Sequence, residues 1–164
     1  MLVIRPALRT DEDAIWCMLS PMLKAGETYT LPRDFSRDEA IAYWTSPGHD
    51  VFVAEYDGLI CGTYYLRANQ RGGGAHVANC GYVTAQDSSG KGVATAMCRH
   101  SLVQAAKRGF RAMQFNFVVS SNVRAIELWK RLGFNIIGTI PAAFDHPTYG
   151  LVDALVMHRF LETN

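Results

Sequence analysis

The 164-residue chain has no C-x-x-C pair, since Cys17, Cys61, Cys80 and Cys98 stand far apart. That excludes a zinc site of the usual ligand spacing, and no metal is expected. Each cysteine sits in an apolar stretch, so buried free thiols in a reducing cytoplasm are expected. There is also no basic excess: 16 Lys and Arg face 15 Asp and Glu, a formal net charge of +1. A nucleic-acid partner is therefore not expected. No apolar run approaches the ~18 residues of a membrane span, and Met1 to Pro6 is too short and too strand-like for a signal peptide. Repeats, low-complexity tracts and linkers are missing as well. With 49% hydrophobic and 19% charged residues, a single domain over residues 1–164 with a sizeable core is expected.

The pattern reads as a mixed sheet with helices on both faces, an α/β arrangement. Strand-like segments are Leu2–Arg5, Val51–Tyr56, Leu59–Leu66, Ala75–Thr84, Arg111–Val119, Phe134–Ile140 and Leu151–Phe160. Asp57-Gly58 marks a two-residue hairpin turn. Helices are expected from Thr10, from Ser36 with Glu39 as a capping box, over Lys91–Arg108, and over Asn122–Leu132. The apolar stripe of the third is Val93, Ala94, Met97, Leu102, Val103 and Ala106. A loop is expected over Pro141–Gly150.

Chemistry concentrates in the stretch from Tyr82 to Thr95, where a strand runs through a glycine turn into the longest helix. Helix-start N–H groups have no helical partner, and the helix dipole favours an anion there. Gly90 and Gly92 leave room for a diphosphate, and Lys91 adds charge. The P-loop pattern fails at Ala85 and Gly92, and the dinucleotide fingerprint fails at Thr95. A second stretch reads Asn122-Val123-Arg124-Ala125-Ile126-Glu127-Leu128-Trp129-Lys130-Arg131-Leu132-Gly133-Phe134, an Asn-capped amphipathic helix with a glycine stop.

Together these stretches resemble the GCN5-related N-acetyltransferase superfamily. Ser89-Gly90-Lys91-Gly92-Val93-Ala94 is similar to its acetyl-CoA signature, Arg/Gln-x-x-Gly-x-Gly/Ala. The second stretch is similar to its Asn-x-x-Ala-x-x-Leu-Tyr/Trp-x-x-Leu-Gly-Phe helix, and Ile4-Arg5-Pro6-Ala7 is similar to its usual opening. The resemblance covers essentially the whole chain. It implies a mostly antiparallel seven-stranded sheet whose fourth and fifth strands splay apart around acetyl-CoA.

By that resemblance Val83 and Thr84 hold the pantetheine, the N–H groups of Gly90, Lys91, Gly92, Val93, Ala94 and Thr95 hold the pyrophosphate, and Ser89 stands with them as a cofactor-binding residue at the head of the signature. Asn122 lies near the pantetheine and Trp129 near the sulfur. The implied reaction is direct attack of a primary amine on the thioester; the acceptor is a small molecule, an amino acid or another amine, or a peptide terminus. A competing reading is an acyl-CoA-binding sensor with little catalysis.

Three departures stand out. Ser89 replaces the signature Arg/Gln. Trp129 replaces the tyrosine acid of many relatives, and an indole cannot protonate a thiolate near neutral pH. No Asp or Glu lies between Ala68 and Gln86, so the base candidates are His76, a water held by Asn79, or Glu27. The resemblance places the acceptor among Glu27, Thr28 and Tyr29 on one side and Phe144, His146 and Tyr149 on the other. Dimers are frequent in the family, so a homodimer is an admissible assembly.

Overall fold

A computed structural model describes residues 1–162. In chain order it contains β1 (Leu2–Pro6), α1 (Glu12–Ala25), α2 (Arg37–Trp44), β2 (Asp50–Tyr56), β3 (Leu59–Ala68) and β4 (Val77–Thr84). Then follow α3 (Val93–Lys107), β5 (Ala112–Val119), α4 (Val123–Arg131), β6 (Asn135–His146) and β7 (Gly150–Phe160). The strands form one sheet in the order β1-β2-β3-β4-β5-β7-β6. Only β4 and β5 run parallel; the other neighbours are antiparallel.

Side-chain alternation divides the sheet between two cores. Val53, Tyr65 and Val83 pack with α1 and α2. Phe52, Tyr64 and Cys80 pack with α3 and α4 on the opposite face. The Asp57-Gly58 hairpin forms as expected, with φ of 49° and 84° suiting a primed turn. The Ser36–Glu39 capping box also forms.

Several expectations need correction. A 3-10 turn over Arg9–Asp11 precedes α1, so Thr10 does not cap it. Asp11 prevails there because its carboxylate accepts from the Leu8 N–H at 2.7 Å and from Arg5 at 2.7 and 3.1 Å. On α3 the buried face is Val93, Met97, Cys98, Ser101 and Ala105, while Val103 is exposed. The polar Ser101 is tolerated inside because it donates to the Cys98 carbonyl and meets the Tyr82 hydroxyl. Cys17 is exposed, unlike the other three cysteines.

The expected loop over Pro141–Gly150 is mostly strand. β6 continues to His146 through a register shift between Ile140 and Phe144. There Ala142 takes a φ of 47°, and its N–H donates to Asp153 at 2.9 Å. As the edge strand, β6 tolerates Pro141. The turn itself is folded by His146, whose Nδ1 accepts from the N–H groups of Thr148 and Tyr149.

Asp11 is buried, and Arg5 holds its carboxyl below the usual carboxylate range. A depressed folded-state pKa gives stability that is present above about pH 4 and lost as pH falls further. Asp11→Asn should lower the unfolding free energy by about 2 kcal/mol at neutral pH. The gap to wild type should narrow near pH 2. Denaturant melts at the two pH values check this, and equal midpoints at neutral pH would contradict it.

Candidate active site

β4 and β5 are paired only at Val77–Ala112 and Ala78–Met113. The next register position is held by a side chain: Asn79 Nδ2 donates to the Gln114 carbonyl at 2.9 Å, and its Oδ1 accepts from Arg67 Nε at 3.2 Å. Beyond that clamp the strands part, and β5 shifts register against β7 between Phe115 and Val118. The Asn69 N–H donates to the Val77 carbonyl and the Ala85 N–H to the Cys61 carbonyl, so odd-numbered residues of β4 turn their peptide groups to β3. Cys80, Tyr82 and Thr84 therefore turn theirs into the gap, where no strand pairs with them. The gap opens into a cleft of about 720 Å³.

At one end of the cleft lies the turn into α3. Gly90 and Gly92 hold φ of 80° and 79°. The Ser89 and Lys91 N–H groups are used inside the turn, and the Ala96 N–H donates to Gly92. The N–H groups of Gly90, Gly92, Val93, Ala94 and Thr95 have no backbone acceptor among the described residues. α1 and α2 carry acidic residues in their first turns, and α3 carries none. The five donors and the helix dipole thus make this end a positive pole with no acid in the first turn of α3.

At the other end stands a wall of tyrosines on the α1/α2 face. The Tyr29 hydroxyl donates to the Tyr82 carbonyl at 3.1 Å, and the Tyr43 and Tyr65 hydroxyls lie 3.5 Å apart. Gly81 permits this closeness: a Cβ there would sit 2.6 Å from Tyr65 Cε1 and 2.9 Å from the Tyr29 hydroxyl. Burial raises the phenol pKa of Tyr29, Tyr65 and Tyr82, so all three are neutral at physiological pH. Burial also pushes the Cys80 thiol up to about 12. No Asp, Glu or His lines the cleft among the described residues; its charged side chains are Arg67, Arg124 and Arg131.

The acetyltransferase (GNAT) family model matches residues 16–134. A GCN5-related N-acetyltransferase from Kribbella flavida is 40% identical, with a TM-score of 0.92 over 98% of both chains. The chain belongs to the acetyltransferase (GNAT) family. The N-acetyltransferase aca1 of Schizosaccharomyces pombe is 28% identical over 74% of this chain and 66% of its own length, just under two thirds. A Salmonella typhimurium structure described with its cofactor acetyl-CoA shares the fold at 20% identity, with a TM-score of 0.86 over 100% of this chain and 96% of that one.

In this member of the family the cleft gathers most of the residues singled out from sequence. Gly90, Gly92, Val93, Ala94 and Thr95 line its turn end, with Ser89 beside them. Val83 and Thr84 line it from β4, although the Val83 peptide group faces β3 and the cleft-facing neighbour is Tyr82. Asn122 and Trp129 line it from the α4 side. Asn122 Oδ1 accepts from the Ala125 N–H as a helix cap. Trp129 packs on Tyr82 and Phe115 with ring centroids 5.2 and 5.0 Å away. Thr28 and Tyr29 line its tyrosine-walled end.

Other candidates lie elsewhere. Glu27, His76 and Lys91 are exposed and do not line the cleft. Phe144 and His146 are buried in the β6–β7 hairpin, and Tyr149 is exposed and stacks on His146. Asn79 lines the cleft, but its side chain is committed to Arg67 and Gln114. Tyr43, Tyr65, Arg67, Gly81 and Tyr82 line the cleft without having been singled out. Tyr65 and Arg67 share a face of β3, two residues apart, and that spacing was their readable signal.

Proposed function

We propose that this chain transfers the acetyl group of acetyl-CoA directly to a primary amine of a small molecule, an amino acid or other amine, or to a peptide terminus. The observation that carries this is the splayed β4–β5 gap ending in five unused N–H groups at the α3 turn. Those donors suit a pyrophosphate through main-chain atoms alone, so the serine at position 89 need not contribute its side chain. The gap-facing peptide groups of Tyr82 and Thr84 suit an extended amide chain, in the manner of an added strand. Trp129 gives that chain an aromatic floor.

Acetyl-CoA supplies an activated acyl carbon and a thiolate leaving group with an ordinary thiol pKa near 8.5. An N–H of β4 in the gap stabilises negative charge on the carbonyl oxygen during attack. The amine forms the new C–N bond as the C–S bond breaks, and its proton passes to solvent. The Cys80 thiol, held neutral by burial, is a poor acyl carrier, which supports direct transfer. Among the described residues no helix is long and apolar enough to cross a membrane, and the three buried free thiols suit a reducing cytoplasm.

Because no carboxylate or imidazole lines the cleft among the described residues, the amine enters already deprotonated. The pH profile of kcat/KM should therefore rise to a plateau set by the acceptor's own pKa and shift when the acceptor is changed. An inflection at one fixed pH for acceptors of different basicity would contradict this. The reading as a whole is tested by calorimetry of acetyl-CoA binding with thiol release measured across amines. Micromolar binding with amine-dependent release is expected. Binding without release from any amine or peptide would favour a CoA-binding module.

A further inference from the structure

Arg67 stands on the acceptor wall beside Tyr65, half-buried, and has no carboxylate within ion-pair distance among the described residues. Its Nε is spent on Asn79 Oδ1, and its guanidinium carbon lies 6.0 Å from the centre of the Tyr65 ring. Those two contacts orient the group and leave both terminal nitrogens without a protein acceptor among the described residues. A partly desolvated, uncompensated cation inside a cleft lacking acids calls for an anion from outside. The planar fork of a guanidinium matches a carboxylate through two parallel hydrogen bonds.

We infer that the acceptor carries a carboxylate as well as its amine, and that Arg67 docks that carboxylate. The hydroxyls of Tyr29, Tyr43 and Tyr65 then face the amine end, where they accept or donate hydrogen bonds. A simple alkylammonium gains nothing at this wall and meets the field of Arg67. Asn79 acts as a positioning residue, since it fixes the guanidinium while clamping the strands. This inference rests on the acetyltransferase reading for the name of the amine as acceptor, but the anion site itself does not depend on turnover.

The test is therefore one of binding. The full-length protein is saturated with CoA and titrated with N-acetyl-L-phenylalanine and N-acetyl-L-leucine, each against its decarboxylated counterpart, N-(2-phenylethyl)acetamide or N-(3-methylbutyl)acetamide. The acids should bind at least about tenfold tighter than their counterparts, the scale of a charge-assisted hydrogen-bonded pair. Arg67→Gln should erase that difference while leaving the amides unchanged, and Arg67→Lys should restore only part of it. Equal affinities in the wild type, a difference that survives Arg67→Gln, or no binding of any acid would overturn the inference. Failure to bind CoA in the first step would instead count against the acetyltransferase reading, and titration with the acids alone would still read the anion site.

Discussion

Gly92→Asp should weaken acetyl-CoA binding by about 100-fold, whereas Gly92→Asn should weaken it by no more than about fivefold. Gly92 sits at a φ of 79°, a conformation most side chains resist. Asn and Asp tolerate it better than other residues and have nearly the same shape. The two variants therefore share whatever strain the backbone imposes, and they differ by one negative charge at the positive pole of α3. Nothing lies within 4 Å of a Cβ placed there, so neither variant meets a steric obstacle in the protein itself. Calorimetric affinities for acetyl-CoA check this directly. Equal affinities for the two variants would mean that no pyrophosphate sits on these donors.

The second large effect is expected at Gly81. Its absent side chain lets Tyr29 and Tyr65 close over the β4 backbone, and a methyl group would overlap Tyr65 Cε1 at 2.6 Å. That atom belongs to a rigid, buried ring, so the ring or the strand must move. Gly81→Ala should cut kcat/KM by about 100-fold through displacement of the acceptor wall, at a stability cost of about 1–3 kcal/mol. Acetyl-CoA affinity should stay within about threefold, because the α3 turn is built from a different segment. Unchanged kcat/KM in a folded variant would place the acceptor elsewhere.

The turn at Gly90 and Gly92 and the capped helix at Asn122 were legible because each is a local device: a few residues close the geometry by themselves. The strand–helix order was legible for the same reason. The tyrosine wall of the cleft was not, because it is assembled across the sheet. Tyr29, Tyr43 and Tyr65 come from a loop, α2 and β3; the bare backbone at Gly81 admits Tyr29 and Tyr65, and Tyr43 joins through Tyr65. Asn79 looked like a holder of water, yet the parting of β4 from β5 uses up both ends of its amide. His146 looked like a binding group, yet it folds its own turn through two N–H bonds. In both cases a polar side chain met a backbone need that composition does not reveal. Phe144 looked like part of a loop because the bulge at Ala142 depends on Asp153, eleven residues away.

The most direct measurement is a single-turnover experiment with acetyl-CoA labelled with carbon-13 at the acetyl carbonyl, followed by NMR and by intact-protein mass spectrometry. The account predicts that the label moves from thioester to amide at the rate of thiol release, with no acetylated protein at any time point. Label accumulating on the protein, at Cys80 or elsewhere, or thiol released without amide, would contradict direct transfer in the β4–β5 cleft.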